Sequence, residues 1–226
     1  MQADQFFALP ESLSRFAAHF GGEKSVWNWL PQIKLALADL QGNTSERALP
    51  PGVSVAGEVW LDPSVKLPLT ATLIGPAWIG PGTEIRPGAF VRGNVIVGAD
   101  GVLGNSCEFK NCLLMDGVQV PHFSYVGDSI LGNRSHLAAG VVLSNLRMDQ
   151  QPVTLRLPEG LVETGLRKFG AILGDDAEIG CNAVLQPGTL IGKRGLVMPT
   201  LAFGGYLPPA HLAKGCGGIT MIPRRD

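Results

Sequence analysis

At 226 residues the chain has room for one large domain or two small ones. With 45% hydrophobic and 16% charged residues it does not read as a disordered chain, and a net charge of -1 gives no basic patch for nucleic acid. The 30 Gly and 17 Pro fit a turn-dense fold, while the absence of a signal-peptide pattern and of any long apolar run predicts a cytoplasmic protein without a membrane partner.

In chain order, residues 1–45 read as a helical N-terminal cap. Pro10 suits the first position of a short helix through Phe20, which Gly21 and Gly22 stop. A second helix is predicted from Ser25 to Gln41, because Val26, Leu30, Ile33, Leu37 and Leu40 fall on one stripe. Two helices this short have little core of their own, so they are expected to close the open end of whatever follows. Gly42 to Gly52 is the linker.

Residues 53–200 show a period that is neither helical nor strand-like. Every sixth residue from Val55 is apolar: Leu61, Leu67, Leu73, Ile79, Ile85, Val91, Val97, Leu103, Phe109, Met115. Two positions before each stands a residue that is mostly small or β-branched. This is the mark of a hexapeptide β-helix, mainly β, in which three hexads make one triangular coil and residues eighteen apart stack. Gly and Pro populate the corners, as in IGPGTEIRPG. The period is disturbed near Pro121 and resumes as Tyr125, Leu131, Leu137, Leu143. Residues 145–170 read as an inserted loop, whose VTLRLPEGLVETG segment predicts a projecting hairpin turning at Pro158–Glu159–Gly160. The ladder returns with Leu173, Ile179, Leu185, Ile191 and Val197. The tail, 201–226, leaves the period and is expected to fold back over the last coil. Cys107, Cys112, Cys181 and Cys216 form no CxxC pair and read as small buried thiols of a cytosolic protein in preference to disulfides or metal ligands.

The ladder fixes where polar residues point. The residue after each inward position faces out near a corner, and that register holds Arg86, Arg92, Lys110, Asp116 and His122. At eighteen residues per coil, Lys110 stacks over Arg92, whereas His122 stacks over Gly104 and Arg86 in another column. Paired cations suit a phosphate, and an imidazole suits proton abstraction. A single surface Arg or Lys is more simply a solvated side chain; the set, with Tyr125, is not.

EFKNCLLMDGVQVPHFSYVGDSILG, followed by a Gly-containing coil and SNLRMD, resembles the acetyltransferase domain of bifunctional amino-sugar-1-phosphate acetyltransferase/uridylyltransferases, over roughly 79–192. The resemblance implies a left-handed parallel β-helix, a homotrimer with sites between subunits, acetyl-CoA as donor, a sugar phosphate as acceptor and no metal. It places the catalytic His on His122, the Tyr on Tyr125, the substrate Asn on Asn145 and the phosphate Lys on Lys110. Its upstream Arg falls on Arg92 by spacing and on Arg86 by the RPG motif. Backbone amides near Ala183 and the tail would hold the pantetheine arm. Two departures stand out: Gln151 occupies a position where the family carries Lys, and the uridylyltransferase motif is absent. The competing readings are a three-His zinc enzyme, a non-catalytic scaffold, and an acyltransferase for another amine or hydroxyl. The first would have to draw on His19, His122, His136 and His211, two of which lie outside the ladder.

Overall fold

The computed structural model describes residues 1–21, 25–40 and 48–215. Gly22, Gln41, residues 42–47 of the expected linker and the 216–226 end of the tail, with Cys216, lie outside the described residues.

The hexad period winds the chain into a parallel β-helix with three faces. On the first face the strands stack from Gly52–Ala56 through Thr70–Ile74, Ala89–Arg92 and the start of Glu108–Leu114 to Tyr125, Val142–Leu143, Val184–Leu185 and Ala202–Phe203. The second face runs from Val59–Leu61 to Tyr206–Leu207, and the third from Glu84–Ile85 to Leu212–Ala213. Inside, Leu73, Ile79, Val91, Val97, Leu103 and Phe109 are fully buried in one continuous core. Of the cysteines expected to be buried, Cys107 and Cys112 are, but Cys181 is exposed.

The phase break lies earlier than Pro121. Val91 pairs with Phe109, eighteen residues on, but Val97 pairs with Leu114, seventeen on. The corner at Asn111 is therefore one residue tighter than the one below it. From there Cys112 and Leu114 point inward, and Leu113 and Met115 join a second apolar cluster outside the coil. The next coil repeats the tight corner at Asp128, with Leu114 pairing Leu131. Val126 takes the inward place expected for Tyr125, which is left half-buried on the outer surface. Asn111 and Asp128 have φ of 47° and 49°, a left-handed conformation that Asn and Asp adopt more readily than most residues.

The N-terminal segment covers a flank and not the open end. Its described residues comprise 3-10 turns at Ala3–Gln5, Glu11–Phe16 and Val26–Asn28 and one α-helix, Trp29–Ala38. Val26, Leu30, Ile33 and Leu37 are buried as their stripe requires. What they cover is an outer ladder along the second face, in which Trp60, Trp78, Ile96, Leu113, Ile130, Ile172, Leu190 and Tyr206 follow one another in register. Arg15 lies 4.1 Å from the Trp78 ring centroid, and the Asn133 amide donates to the Ala8 carbonyl. Strands such as Val95–Val97 and Ala171–Leu173 are buried on both sides, which is why their triplets are apolar throughout.

The segment after Leu143 leaves the coil and carries an antiparallel hairpin, Thr154–Leu157 with Gly160–Glu163. It does not project: Val153, Leu155 and Leu157 are buried in the outer cluster with Phe169. Residues 201–215 of the tail do not fold back either. Tyr206 pairs with Leu190 and Leu212 with Leu196, so this stretch adds a further, shorter coil. Among the described residues no helix is long and apolar enough to cross a membrane.

Candidate functional site

With the second face covered, the first and third stay open among the described residues, where Val142 and Val184 on the first and Leu196 and Leu212 on the third are exposed. Along the outer surface of the first face one column reads Phe90, Glu108, Tyr125, Val142, Val184, Ala202, and the next reads Arg92, Lys110, Gly127, Ser144, Gln186, Gly204. The lower part is therefore charged, and the upper part small and weakly polar.

The corner beside these columns carries Asn94, Asn111, Asp128 and Asn145, each seventeen residues after the last. Asp128 is the centre of the cluster, and its side chain is only 6% exposed. Lys110 Nζ donates to its Oδ2 at 3.0 Å and Asn111 Nδ2 to its Oδ1 at 2.8 Å. Asn145 Nδ2 donates to Oδ2 and, at 3.1 Å, to the Tyr125 hydroxyl. The Tyr125 ring thus lies along the face towards Asn145, over Gly127. A Cβ on Gly127 would stand 2.4 Å from the Tyr125 hydroxyl oxygen, so only glycine leaves the ring its place. Burial pushes the Tyr125 phenol above its ordinary value, and the nearby Asp128 and Glu108 charges add to this. The neutral hydroxyl accepts from Asn145 and keeps its own proton to donate. Below, Arg92 Nε is paired with Glu108 at 2.5 Å.

The structure brings together Arg92, Lys110, Tyr125 and Asn145. It leaves three predicted residues apart. Arg86 pairs with Glu84 at 2.9 Å, in the column of Gly104. His122 ends the strand Gln119–His122 at the far corner of the first face; it stacks on Asn105 and not over Gly104, because that coil is also one residue short. Its exposed ring lies 6.0 Å from that of Phe123, and no hydrogen bond joins it to the cluster among the described residues. Ala183 is buried in the coil, its N–H bonded to the Gly180 carbonyl and its carbonyl to the Val142 N–H. Both its backbone groups are committed to the fold, and the neighbouring Val184 is the exposed one. Asp128, Asn111 and Glu108 were not singled out from the sequence.

Higher on the same face a groove of ≈ 830 Å³ opens between the coil and the inserted segment. Ser144, Arg147, Arg156, Val184, Gln186 and Gly204 are among its lining residues. Gln151 is exposed, its N–H bonded to Asp149. The histidines are dispersed: His19 pairs with Asp39 and His136 with Glu178. Among the described residues no group of three or more His, Cys, Asp and Glu could hold a metal ion.

A family model described as the GMPPB C-terminal domain matches residues 73–197. The bifunctional protein GlmU of Methanococcus vannielii is 38% identical over 113 residues, 50% of this chain and 27% of that one. A bifunctional sugar-1-phosphate nucleotidylyltransferase/acetyltransferase of Sulfurisphaera tokodaii is 31% identical over 173 residues, 76% of this chain and 43% of that one. The chain thus spans less than half the length of these two relatives. YaiX of Escherichia coli (strain K12), whose acetyltransferase name is provisional, is 32% identical over 157 residues, 67% of this chain and 68% of that one.

Proposed function

The chain belongs to the GMPPB C-terminal domain family, and on that footing we propose that it is an acetyl-CoA-dependent N-acetyltransferase for an amino-sugar 1-phosphate, glucosamine- or galactosamine-1-phosphate. The observation that carries this reading is the Lys110–Asp128–Asn145–Tyr125 network on an open face. The acetyltransferase names of the relatives support it.

In this reading the sugar phosphate sits on Arg92 and Lys110. Arg92 pairs with Glu108 through Nε, which leaves terminal N–H groups for another anion. The amine nitrogen attacks the thioester carbonyl, a C–N bond forms and the C–S bond breaks. His122 takes the amine proton, which passes to the departing thiolate. The Tyr125 hydroxyl donates to the oxyanion, and Asn145 holds that hydroxyl in place. His122 stands one face-width from Lys110 within one chain, so a homotrimer that sets the His122 corner of one copy against the Lys110 corner of another would complete the site. The setting proposed is the cytoplasm.

A second reading, transfer to an amine or hydroxyl that bears no phosphate, is favoured by one observation: Arg92 and Lys110 each already hold a carboxylate. Release of free coenzyme A from acetyl-CoA, measured with glucosamine-1-phosphate, galactosamine-1-phosphate and the unphosphorylated sugars, separates the two. The first reading expects turnover to depend on the phosphate; equal turnover of glucosamine and its 1-phosphate rejects it.

A further inference from the structure

Three donors meet one buried acceptor at the corner of the first face, and that arrangement fixes more than stability. A carboxylate only accepts hydrogen bonds, whereas a side-chain amide can turn either its oxygen or its NH₂ towards a neighbour. Lys110 Nζ, Asn111 Nδ2 and Asn145 Nδ2 all donate to Asp128. Were the Asn145 amide turned over, its oxygen would face the carboxylate, acceptor against acceptor. The Asp128 side chain is only 6% exposed, so little water could stand between the two, and a buried polar group left unmet is costly. Asp128 therefore decides which end of the Asn145 amide faces the cluster.

That choice passes on to Tyr125. The same Asn145 Nδ2 donates to the Tyr125 hydroxyl at 3.1 Å, so on that side the phenol oxygen accepts and its proton has to point elsewhere. Glu108, beneath Tyr125 in its column, is already held by Arg92 Nε. The backbones of both relay residues are tied to the returning end of the inserted segment. Phe169 N–H donates to the Asn145 carbonyl at 2.9 Å, and Gly170 N–H to the Asp128 carbonyl at 2.8 Å. Asn145 holds the hydroxyl, and Asp128 holds Asn145.

We propose that Asp128 is a positioning residue for acetyl transfer: through Asn145 it keeps the Tyr125 hydroxyl an acceptor on its inner side, and so turns the hydroxyl proton out over the open face to meet the oxyanion. The link to the oxyanion rests on the acetyl-transfer reading; the direction of the hydroxyl does not.

Two variants of the full chain test this. Asp128→Gly removes both acceptor oxygens at a position, φ 49°, that Gly adopts without strain. Asn145 is then free to turn over and the hydroxyl to turn inward. Asp128→Asn is the conservative variant: its one oxygen is expected on the side of Lys110 and Asn145, with its NH₂ towards Asn111, so Asn145 keeps its orientation even as stability falls. In a Tyr206→Phe background Tyr125 is the single tyrosine, and the tyrosine ring doublet in the Raman spectrum reports whether its hydroxyl accepts or donates. The doublet should shift towards that of a donor in Asp128→Gly and stay as in wild type in Asp128→Asn. Removing one oxyanion donor costs roughly 10²–10³ in kcat, so Asp128→Gly, whose hydroxyl can still turn outward part of the time, should lose about tenfold or more and Asp128→Asn less than about threefold. In Tyr125→Phe, Asp128→Gly should lower kcat no further. The proposal is overturned if Asp128→Gly leaves the doublet or kcat unchanged, or if Asp128→Asn loses as much kcat as Asp128→Gly. It is also overturned if Asp128→Gly lowers kcat equally with and without Tyr125, which is what a merely structural role gives. The doublet needs no turnover, so the two readings fail separately: a wild type that transfers no acetyl group, with a doublet that still shifts in Asp128→Gly, removes the chemistry and leaves Asp128 directing the hydroxyl.

Discussion

Replacing Asp128 by Asn tests whether the candidate site is held by one buried carboxylate. Asn is the informative choice, because position 128 has φ 49° and Ala there would add backbone strain unrelated to the network. The three side chains that bond Asp128 are all donors: Lys110 Nζ, Asn111 Nδ2 and Asn145 Nδ2. An amide supplies one acceptor oxygen and turns its own NH₂ towards a donor, so the Asp128→Asn variant leaves at least one donor unmet and Lys110 without a counter-charge. Removing one partner of a fully buried pair costs about 3–5 kcal/mol. The Lys110 side chain is 20% exposed, which places the loss at the low end, about 3 kcal/mol. For a chain of this length that lowers Tm by about 6–12 °C. Thermal unfolding followed by circular dichroism reads it directly. Lys110→Met combined with Asp128→Asn should recover about half or more of the loss, since no unpaired ammonium remains. A single variant within about 2 °C of wild type would refute the reasoning.

Gly127→Ala puts a methyl 2.4 Å from the Tyr125 hydroxyl and 2.8 Å from Asn145 Nδ2; it should lower kcat about tenfold or more while Tm moves by only a few degrees, and an unchanged kcat would show that the ring's place is irrelevant. Alkaline pH should destabilise the protein partly through Tyr125. Burial raises its folded-state value above that of the unfolded chain, so its contribution is complete below about pH 10 and declines as pH climbs from there through the folded value. Denaturant titrations should show Tyr125→Phe losing less stability than wild type between pH 9 and about pH 11, and parallel curves would contradict this. Phe109, fully buried in the coil, should cost about 3–5 kcal/mol as Phe109→Ala, measured by urea unfolding.

The hexad ladder made the coil legible because inward positions admit almost nothing but apolar side chains. The tight corners hid from the same reading. A corner shortened by one residue leaves an apolar residue at every expected place, so Leu113 and Met115 look like rungs while Cys112 and Leu114 are the rungs. The signal that marks the shift is the seventeen-residue recurrence of Asn94, Asn111, Asp128 and Asn145, and only a count at seventeen finds it. The outer ladder was also written in the chain, as the middle residues of VWL, AWI, VIV and AIL. Those triplets report that a face is covered and do not say by what, which is why the helices were expected at the end of the coil. Lys110 over Arg92 followed from spacing, since no tight corner intervenes between them. Asp128 as the centre that gathers Lys110, Asn111 and Asn145 did not, because a buried acid among donors is recognised by what surrounds it in space and not by its sequence neighbours.

The central claim is a base-assisted acetyl transfer, and the His122→Ala variant tests it most directly. The measurement is kcat for coenzyme A release from acetyl-CoA with the amino-sugar 1-phosphate that wild type turns over, alongside acetyl-CoA affinity and a check of folding. General-base catalysis is worth roughly 10²- to 10⁴-fold, so kcat should fall by that factor while acetyl-CoA binding stays nearly unchanged. A folded variant with kcat within threefold of wild type, or a wild type that releases no coenzyme A with either amino-sugar 1-phosphate, would contradict the account.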